Sequence, residues 1–212
     1  MSIRKLVAGA ALLSLSSIAN AGMLTVSAFD TGSMSATNSW NDDRLRAYYN
    51  QSTGHVDGFM KFDLSVFADD ITIESMTLTT YHEEGFGNPY QDPEVSIYHV
   101  NDDSWSRGSS HPGLNEQLTT AQTGFPGGDY IAYDWILDID AFDWLADLSD
   151  DTLSLAMRNE KESYSYVYWH GSDNQMWAPT LTINYTSDVP APAPLALLAL
   201  GILGLVTRRT KG

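Results

Sequence analysis

There is no cysteine among the 212 residues. That removes disulfides, thiolate metal ligands, a cysteine nucleophile and a lipid-modified cysteine together, so the fold has to be held by its core alone. Cations are scarce as well: 11 Lys+Arg stand against 27 Asp+Glu, a formal net charge of −16. A surface of that sign repels polyanions at encounter, which excludes nucleic acid as a partner. Long apolar runs are missing too. The run Leu195–Val206 has twelve residues, where a comfortable membrane span takes about 20. Catalytic signatures are also absent: there is no G-x-S-x-G, no Walker loop, and no H-x-H or H-E-x-x-H metal spacing. These absences favour a non-catalytic surface, although a pair of carboxylates across a cleft is untouched by them.

What is present at the two ends is addressing. Arg4 and Lys5 form a positive leader, Leu6–Leu15 an apolar stretch, and Ala19-Asn20-Ala21 a small-x-small cleavage site. Together they predict a secretory signal peptide over 1–21, cut by signal peptidase, with Gly22 as the mature N-terminus. At the other end a Pro/Ala stem, Val189–Pro194, leads into the apolar run and then into Arg208, Arg209 and Lys211. Apolar residues followed by cations suit a helix that enters the membrane transiently with its charges at the cytoplasmic side. In position and order the tail resembles a PEP-CTERM sorting signal, with Val189, Pro190, Pro192, Arg208 and Arg209 as its motif, although Val-Pro-Ala-Pro stands where that family has Pro-Glu-Pro. The resemblance implies recognition by an exosortase and a destination at the cell surface or in the extracellular matrix. A plain membrane anchor is the alternative.

Between these ends lies one domain, 22–188. It holds all 27 acids but only six cations, Arg44, Arg46, Lys61, Arg107, Arg158 and Lys161, a formal −21. Its dominant period is two. Met60, Phe62 and Leu64 alternate with Lys61 and Asp63, Met76 and Leu78 with Thr77 and Thr79, Val95 and Ile97 flank Ser96, and Leu153, Leu155 and Met157 alternate with Ser154 and Ala156. Leu181, Ile183 and Tyr185 repeat the pattern near the end. Such runs, punctuated by Gly, Pro, Asn and Asp, predict half-buried antiparallel strands in an all-β sandwich, jelly-roll-like. One short helix is expected over Asp140–Leu148, capped by Asp140, with Phe142, Leu145 and Leu148 on its buried face. Glu83–Glu94 reads as a hairpin loop, and Ser104–Asp129 as a long loop hiding one weak strand near Gln117–Gln122.

The order of these pieces resembles the DNRLRE-domain family, which includes disaggregatase-related repeats and carbohydrate-binding modules. Asp42-Asp43-Arg44-Leu45-Arg46-Ala47 stands at the name-giving motif, with Asp43 for Asn and Ala47 for Glu. Phe59–Ser65, Ile73–Tyr81, Val95–Trp105, Asp138–Leu148 and Ala178–Tyr185 follow in the family's order. The resemblance implies a jelly roll that binds glycan or serves an extracellular structural role, without a catalytic centre. Uronate chains such as alginate, a ligand class of relatives, suit a −21 domain only if Ca2+ bridges, so neutral glycans or Ca2+-dependent binding are expected.

Sugar surfaces need flat aromatic faces with planar hydrogen-bonding groups at the rim. Two stretches supply them: Trp40, Arg44, Arg46 and Tyr48, and then Tyr164, Tyr166, Tyr168, Trp169 and Trp177. Either set could equally be packing, and an Arg–Asp strut would explain the arginines. Trp105, Trp135 and Trp144 read as core anchors. Carboxylate pairs abound, but none fits an EF-hand; if the chain ends meet, Asp42, Asp43 and Asp173 are the donors for one structural Ca2+. No other cofactor is implied. The reading is an exported, surface-sorted module that binds or organises exopolysaccharide in a bacterial matrix. Its alternatives are a structural or adhesive matrix protein with protein partners and, third, a polysaccharide hydrolase or lyase, which would need two carboxylates ~5–9 Å apart across a cleft.

Overall fold

The computed structural model describes residues 20–37, 39–40, 43–67, 71–87, 93–123, 130–162 and 165–187. The expected leader, apart from Asn20 and Ala21, and the expected sorting tail lie outside them. The elements run β1 (Asn20–Ser35), β2 (Ser39–Trp40), β3 (Leu45–Asn50), β4 (Gly54–Asp63), β5 (Ile71–Gly87), β6 (Glu94–His99), β7 (Gln117–Gln122), β8 (Ala132–Leu137), α1 (Trp144–Ser149), β9 (Thr152–Asn159), β10 (Ser165–Trp169) and β11 (Thr180–Ser187). Every pairing among them is antiparallel. Among the described residues no helix is long and apolar enough to cross a membrane.

Two layers enclose the main core. In one, β8, β5, β11 and the first half of β1 lie side by side; in the other, β7, β6, β9, β4 and the second half of β1 do. A single strand serves both layers because it bends. Ala28 pairs with Phe62 and Asp30 with Lys61, so Phe29 is an extra residue, 55% exposed. A bulge of this kind kinks the strand and lets it change sheets. β10 connects the layers elsewhere, pairing with the far end of β5 on one side and with β3 on the other, and β3 continues onto β4.

The core between the layers takes Met60, Phe62, Met76, Leu78, Val95, Ile97, Leu153, Leu155, Leu181 and Ile183, the stripes that alternation marks. Each buried side chain of this size contributes about 1.5–3 kcal/mol. The other face of β4 departs from expectation. Phe59 and Lys61, on the parity assigned to solvent, are buried as well, and only Asp63 is exposed. The cause is the segment after β6, which folds back over this face. Val100 and Trp105 pack with Phe59, Met34 and Ala156 into a second core. Lys61 is tolerated there because its ammonium lies 4.6 Å from the Trp105 ring centroid and donates to the Trp105 carbonyl. Trp105 in turn donates from Nε1 to Ser154 Oγ at 3.1 Å.

Other boundaries shift too. The weak strand at Gln117–Gln122 is β7. The expected loop from Glu83 is strand as far as Gly87, because the end of β5 finds a partner in β10. The helix is shorter than expected, Trp144–Ser149, with Asp143 at its N-cap making no side-chain cap bond. Asp140 closes a local turn instead, its N–H donating to Asp138 Oδ1. Leu145 is 57% exposed, since the helix turns Asp147 and Leu148 inward. Asp147 Oδ1 lies 3.0 Å from His99 Nε2, which ties α1 to β6. Trp105 and Trp135 are buried and Trp144 is partly buried against the core.

Candidate functional site

The two aromatic stretches of the sequence converge on one surface because β3 and β10 pair. Val167 faces Ala47, Tyr168 faces Arg46 and Trp169 faces Leu45 across the ladder. Alternation then sends Leu45, Ala47, Val167 and Trp169 into the core, and Arg46, Tyr48, Tyr166 and Tyr168 to the opposite face. Tyr166 and Tyr168 are half-buried and Tyr48 more deeply set.

The rings form a compact group. Tyr48 and Tyr166 have centroids 4.6 Å apart at 43°, Tyr48 and Tyr168 are 6.4 Å apart and edge-on at 78°, and Tyr166 and Tyr168 are 6.5 Å apart at 59°. The Arg46 guanidinium carbon lies 5.8 Å from the Tyr168 centroid. Arg44 sits beside this group and pairs with Glu83 at 2.8 Å. Burial, and then the charge of Tyr168, push the Tyr48 hydroxyl above the usual tyrosine value, while Arg46 pulls it down. The phenol is therefore neutral at physiological pH and able both to donate and to accept. Aromatic faces with hydroxyls and guanidinium groups at their edge are what a polyhydroxylated ring needs: apolar C–H patches against the ring, hydroxyls at the rim.

The remaining expected residues fall elsewhere. Trp169 is fully buried, 6.4 Å from Trp135 in the core, and makes no part of a surface. Trp177 joins a second aromatic group. It lies 5.1 Å from Tyr81 and 5.0 Å from Tyr130, and Tyr130 stacks on His170 at 5.1 Å and 9°. The side chain of Trp40, and Tyr164 and Asp42, lie outside the described residues, as do Val189, Pro190, Pro192, Arg208 and Arg209.

Asp43 and Asp173 are on segments that do meet. A Cβ on Gly171 would fall 1.5 Å from the Asp43 carbonyl oxygen, and Thr31 Oγ1 donates to that same oxygen at 2.9 Å. The Asp173 carboxylate, however, is engaged by Arg107, whose Nη1 and Nη2 donate to its two oxygens at 2.8 and 3.1 Å. That pairing holds the Asp173 carboxyl below the usual aspartate value. Among the described residues no group of three His, Cys, Asp or Glu could hold a metal ion. Arg107 also donates from Nε to the Thr31 carbonyl at 3.0 Å, so this corner works as a clasp between the segment after β6 and the β10–β11 connection.

The sequence carries no sign of Glu83 as the partner of Arg44, nor of Tyr81 and Tyr130 as the company of Trp177. No local pattern carries those pairings; they arise where β5 meets β10 and where 130–131 docks on His82.

A sandwich that shows a tyrosine group flanked by arginines on one face has the make-up of a carbohydrate-binding module. The family model of carbohydrate-binding module family 96 matches residues 27–185, and the chain belongs to that family. Membership points to non-catalytic carbohydrate binding. No curated protein matches the chain.

Proposed function

We propose that the tyrosine group of β3 and β10 is the surface with which this protein holds extracellular polysaccharide, and that the chain is exported and sorted to the cell surface to do so. The convergence of Tyr48, Tyr166 and Tyr168 beside Arg46 carries the proposal. Family membership supplies the ligand class, carbohydrate, and the leader and tail read in the sequence supply the route: signal peptidase, then exosortase, with the membrane engaged only in transit. Binding at such a surface is additive and weak per contact, and becomes useful when many copies line one matrix.

Charge narrows the glycan. The described cations near the site are engaged: Arg44 with Glu83 and Arg46 over Tyr168. Neutral polysaccharides fit such a face better than polyuronates. Affinity electrophoresis of the full chain through gels containing neutral β-glucan, galactomannan, dextran or alginate tests this. Retardation is expected in at least one neutral gel and to be lost in a Tyr166→Ala/Tyr168→Ala variant; retardation untouched by that double substitution would move the site elsewhere.

A further inference from the structure

A second polar recess lies on the opposite side of β3. Tyr48 belongs to the tyrosine group, whereas its neighbour Tyr49 points the other way and packs edge-on against His55, 5.1 Å between centroids at 65°. His55 lines a cavity of about 510 Å3 together with Arg158, His111, Gly113, Gly54 and Pro112. That volume lies in the range that takes a small ligand.

Its polar walls are held from behind. Asp57, fully buried, accepts from Arg158 Nε at 2.9 Å and from Arg158 Nη2 at 2.6 Å, and from His111 Nε2 at 2.8 Å. Burial opposes the charge on Asp57, but the hydrogen bonds of Arg158 and His111 outweigh it and hold the carboxyl below its usual value. The Gly113 N–H donates to His111 Nδ1 at 2.9 Å, so the proton of this ring is on Nε2. Phe59 meets the same ring edge-on at 5.0 Å. His55 Nδ1 faces the Asn159 carbonyl at 3.1 Å; a carbonyl only accepts, so Nδ1 carries a proton, and in the neutral tautomer that this fixes Nε2 is the acceptor. Gly54 and Gly113 have positive φ, and at neither would a Cβ meet any atom within 4 Å, which leaves the rim low.

The recess therefore offers a fixed donor plane, Arg158, whose side chain is 26% exposed, and a fixed acceptor-bearing ring, His55. A hydroxyl group both donates and accepts and satisfies such a mixed wall; a carboxylate or sulfate only accepts and leaves the His55 acceptor unmatched. The charge of Arg158 is already met by Asp57, with Glu160 also close enough to act on it, so an anion gains little attraction. We infer that this cavity is a second carbohydrate site, taking one neutral sugar unit with free hydroxyls, such as a chain end or branch, and discriminating against uronates. The inference rests on the reading of the protein as a carbohydrate binder, but not on the tyrosine group being its surface.

The test is a set of amide proton–nitrogen NMR titrations of the 15N-labelled full chain with methyl β-D-glucoside, methyl β-D-galactoside, methyl α-D-mannoside and sodium glucuronate. At least one neutral glycoside is expected to move the His55, Gly54 and Gly113 signals saturably, with glucuronate at least tenfold weaker. Ala36→Trp and Ser110→Trp, both at exposed positions lining the recess, are each expected to weaken that response at least tenfold while the Tyr166 and Tyr168 signals stay in place. Silence of the three cavity amides toward every neutral glycoside, or an equal response to glucuronate, overturns the inference. If Tyr166 and Tyr168 respond to a polysaccharide while the cavity is silent, only the cavity site falls; silence at both sets of signals also removes the carbohydrate reading.

Discussion

The two outward faces beside β3 are built on different physics. The tyrosine face rests on strands, and its side chains are placed by ladder alternation alone: once Tyr168 faces Arg46, Tyr166 must stand beside Tyr48. The face across β4 is roofed by the segment from Val100 to Glu116, and its polar groups are placed by long-range bonds into a buried carboxylate. An open strand face costs little to build and tolerates change. A roofed face depends on a few groups whose loss is severe. The contrast teaches where stability and binding should separate: substitutions under the roof should unfold the protein, and those on the tyrosine face should weaken only recognition.

The largest effect is expected at the clasp that ties the roof down. Gly171→Ala would drive a methyl group to 1.5 Å from the Asp43 carbonyl oxygen. Backbone cannot yield that far without parting the segments, so a loss of more than about 4 kcal/mol in urea unfolding is expected. A stability within 1 kcal/mol of the parent would show that the contact is not maintained.

Next comes the buried carboxylate. Asp57→Ala leaves the partly buried Arg158 guanidinium without its partner, and breaking a buried pair from one side costs about 3–5 kcal/mol. An Asp57→Leu/Arg158→Met double variant should recover much of the loss. If the double variant is no better than Asp57→Ala, the cost is packing rather than unpaired charge.

A smaller effect follows pH. Burial works against the charge on His99, but its bonds to Asp147 and then Glu116 outweigh this and hold its pKa above the usual 6.5. A raised folded-state pKa stabilises fully below about pH 6.5 and is lost as pH rises through the folded value. Asp57 behaves oppositely: its depressed pKa stabilises above about pH 3.8 and is lost as pH falls through the folded value. A melting-temperature profile should therefore decline on both sides of mildly acidic pH, and His99→Gln should flatten the alkaline side alone.

The smallest stability effect, and the clearest binding effect, belongs to the tyrosines. Tyr166→Ala and Tyr168→Ala should each weaken glycan binding by about 0.5–1.5 kcal/mol, roughly 2–12-fold, with the melting temperature nearly unchanged.

This same contrast marks what could be read from the sequence. Strands whose one face is apolar were legible: Leu181 and Ile183, and Met76 and Leu78, lie where alternation puts them, whereas the weak β7 was marked by the length of the loop around it. β1 was not, because its buried positions include Thr31, Ser33 and Ser35. Their hydroxyls serve distant backbone, Thr31 donating to the Asp43 carbonyl and Ser33 to the Arg44 carbonyl, and a polar residue gives no hint of burial until that partner is placed. β4 misled for the complementary reason: Phe59 and Lys61 share the parity of exposed Asp63, and only the roof explains their burial. The tyrosine face was half legible. Its residues stand out by type, but that Tyr48 and Tyr166 are neighbours, and that Trp169 and Trp177 leave the group, depends on the pairing of β3 with β10. The recess beside His55 had no local signature, since Asp57, His111 and Arg158 come from three separate segments.

The most direct measurement is isothermal titration calorimetry of the full chain and the Tyr166→Ala/Tyr168→Ala variant with whichever neutral polysaccharide retards the parent in a gel. If the tyrosine group is the binding surface, the variant loses at least about fivefold in affinity, the sum of the two single effects, and melts within a degree or two of the parent. Equal affinity in a folded variant would contradict the account.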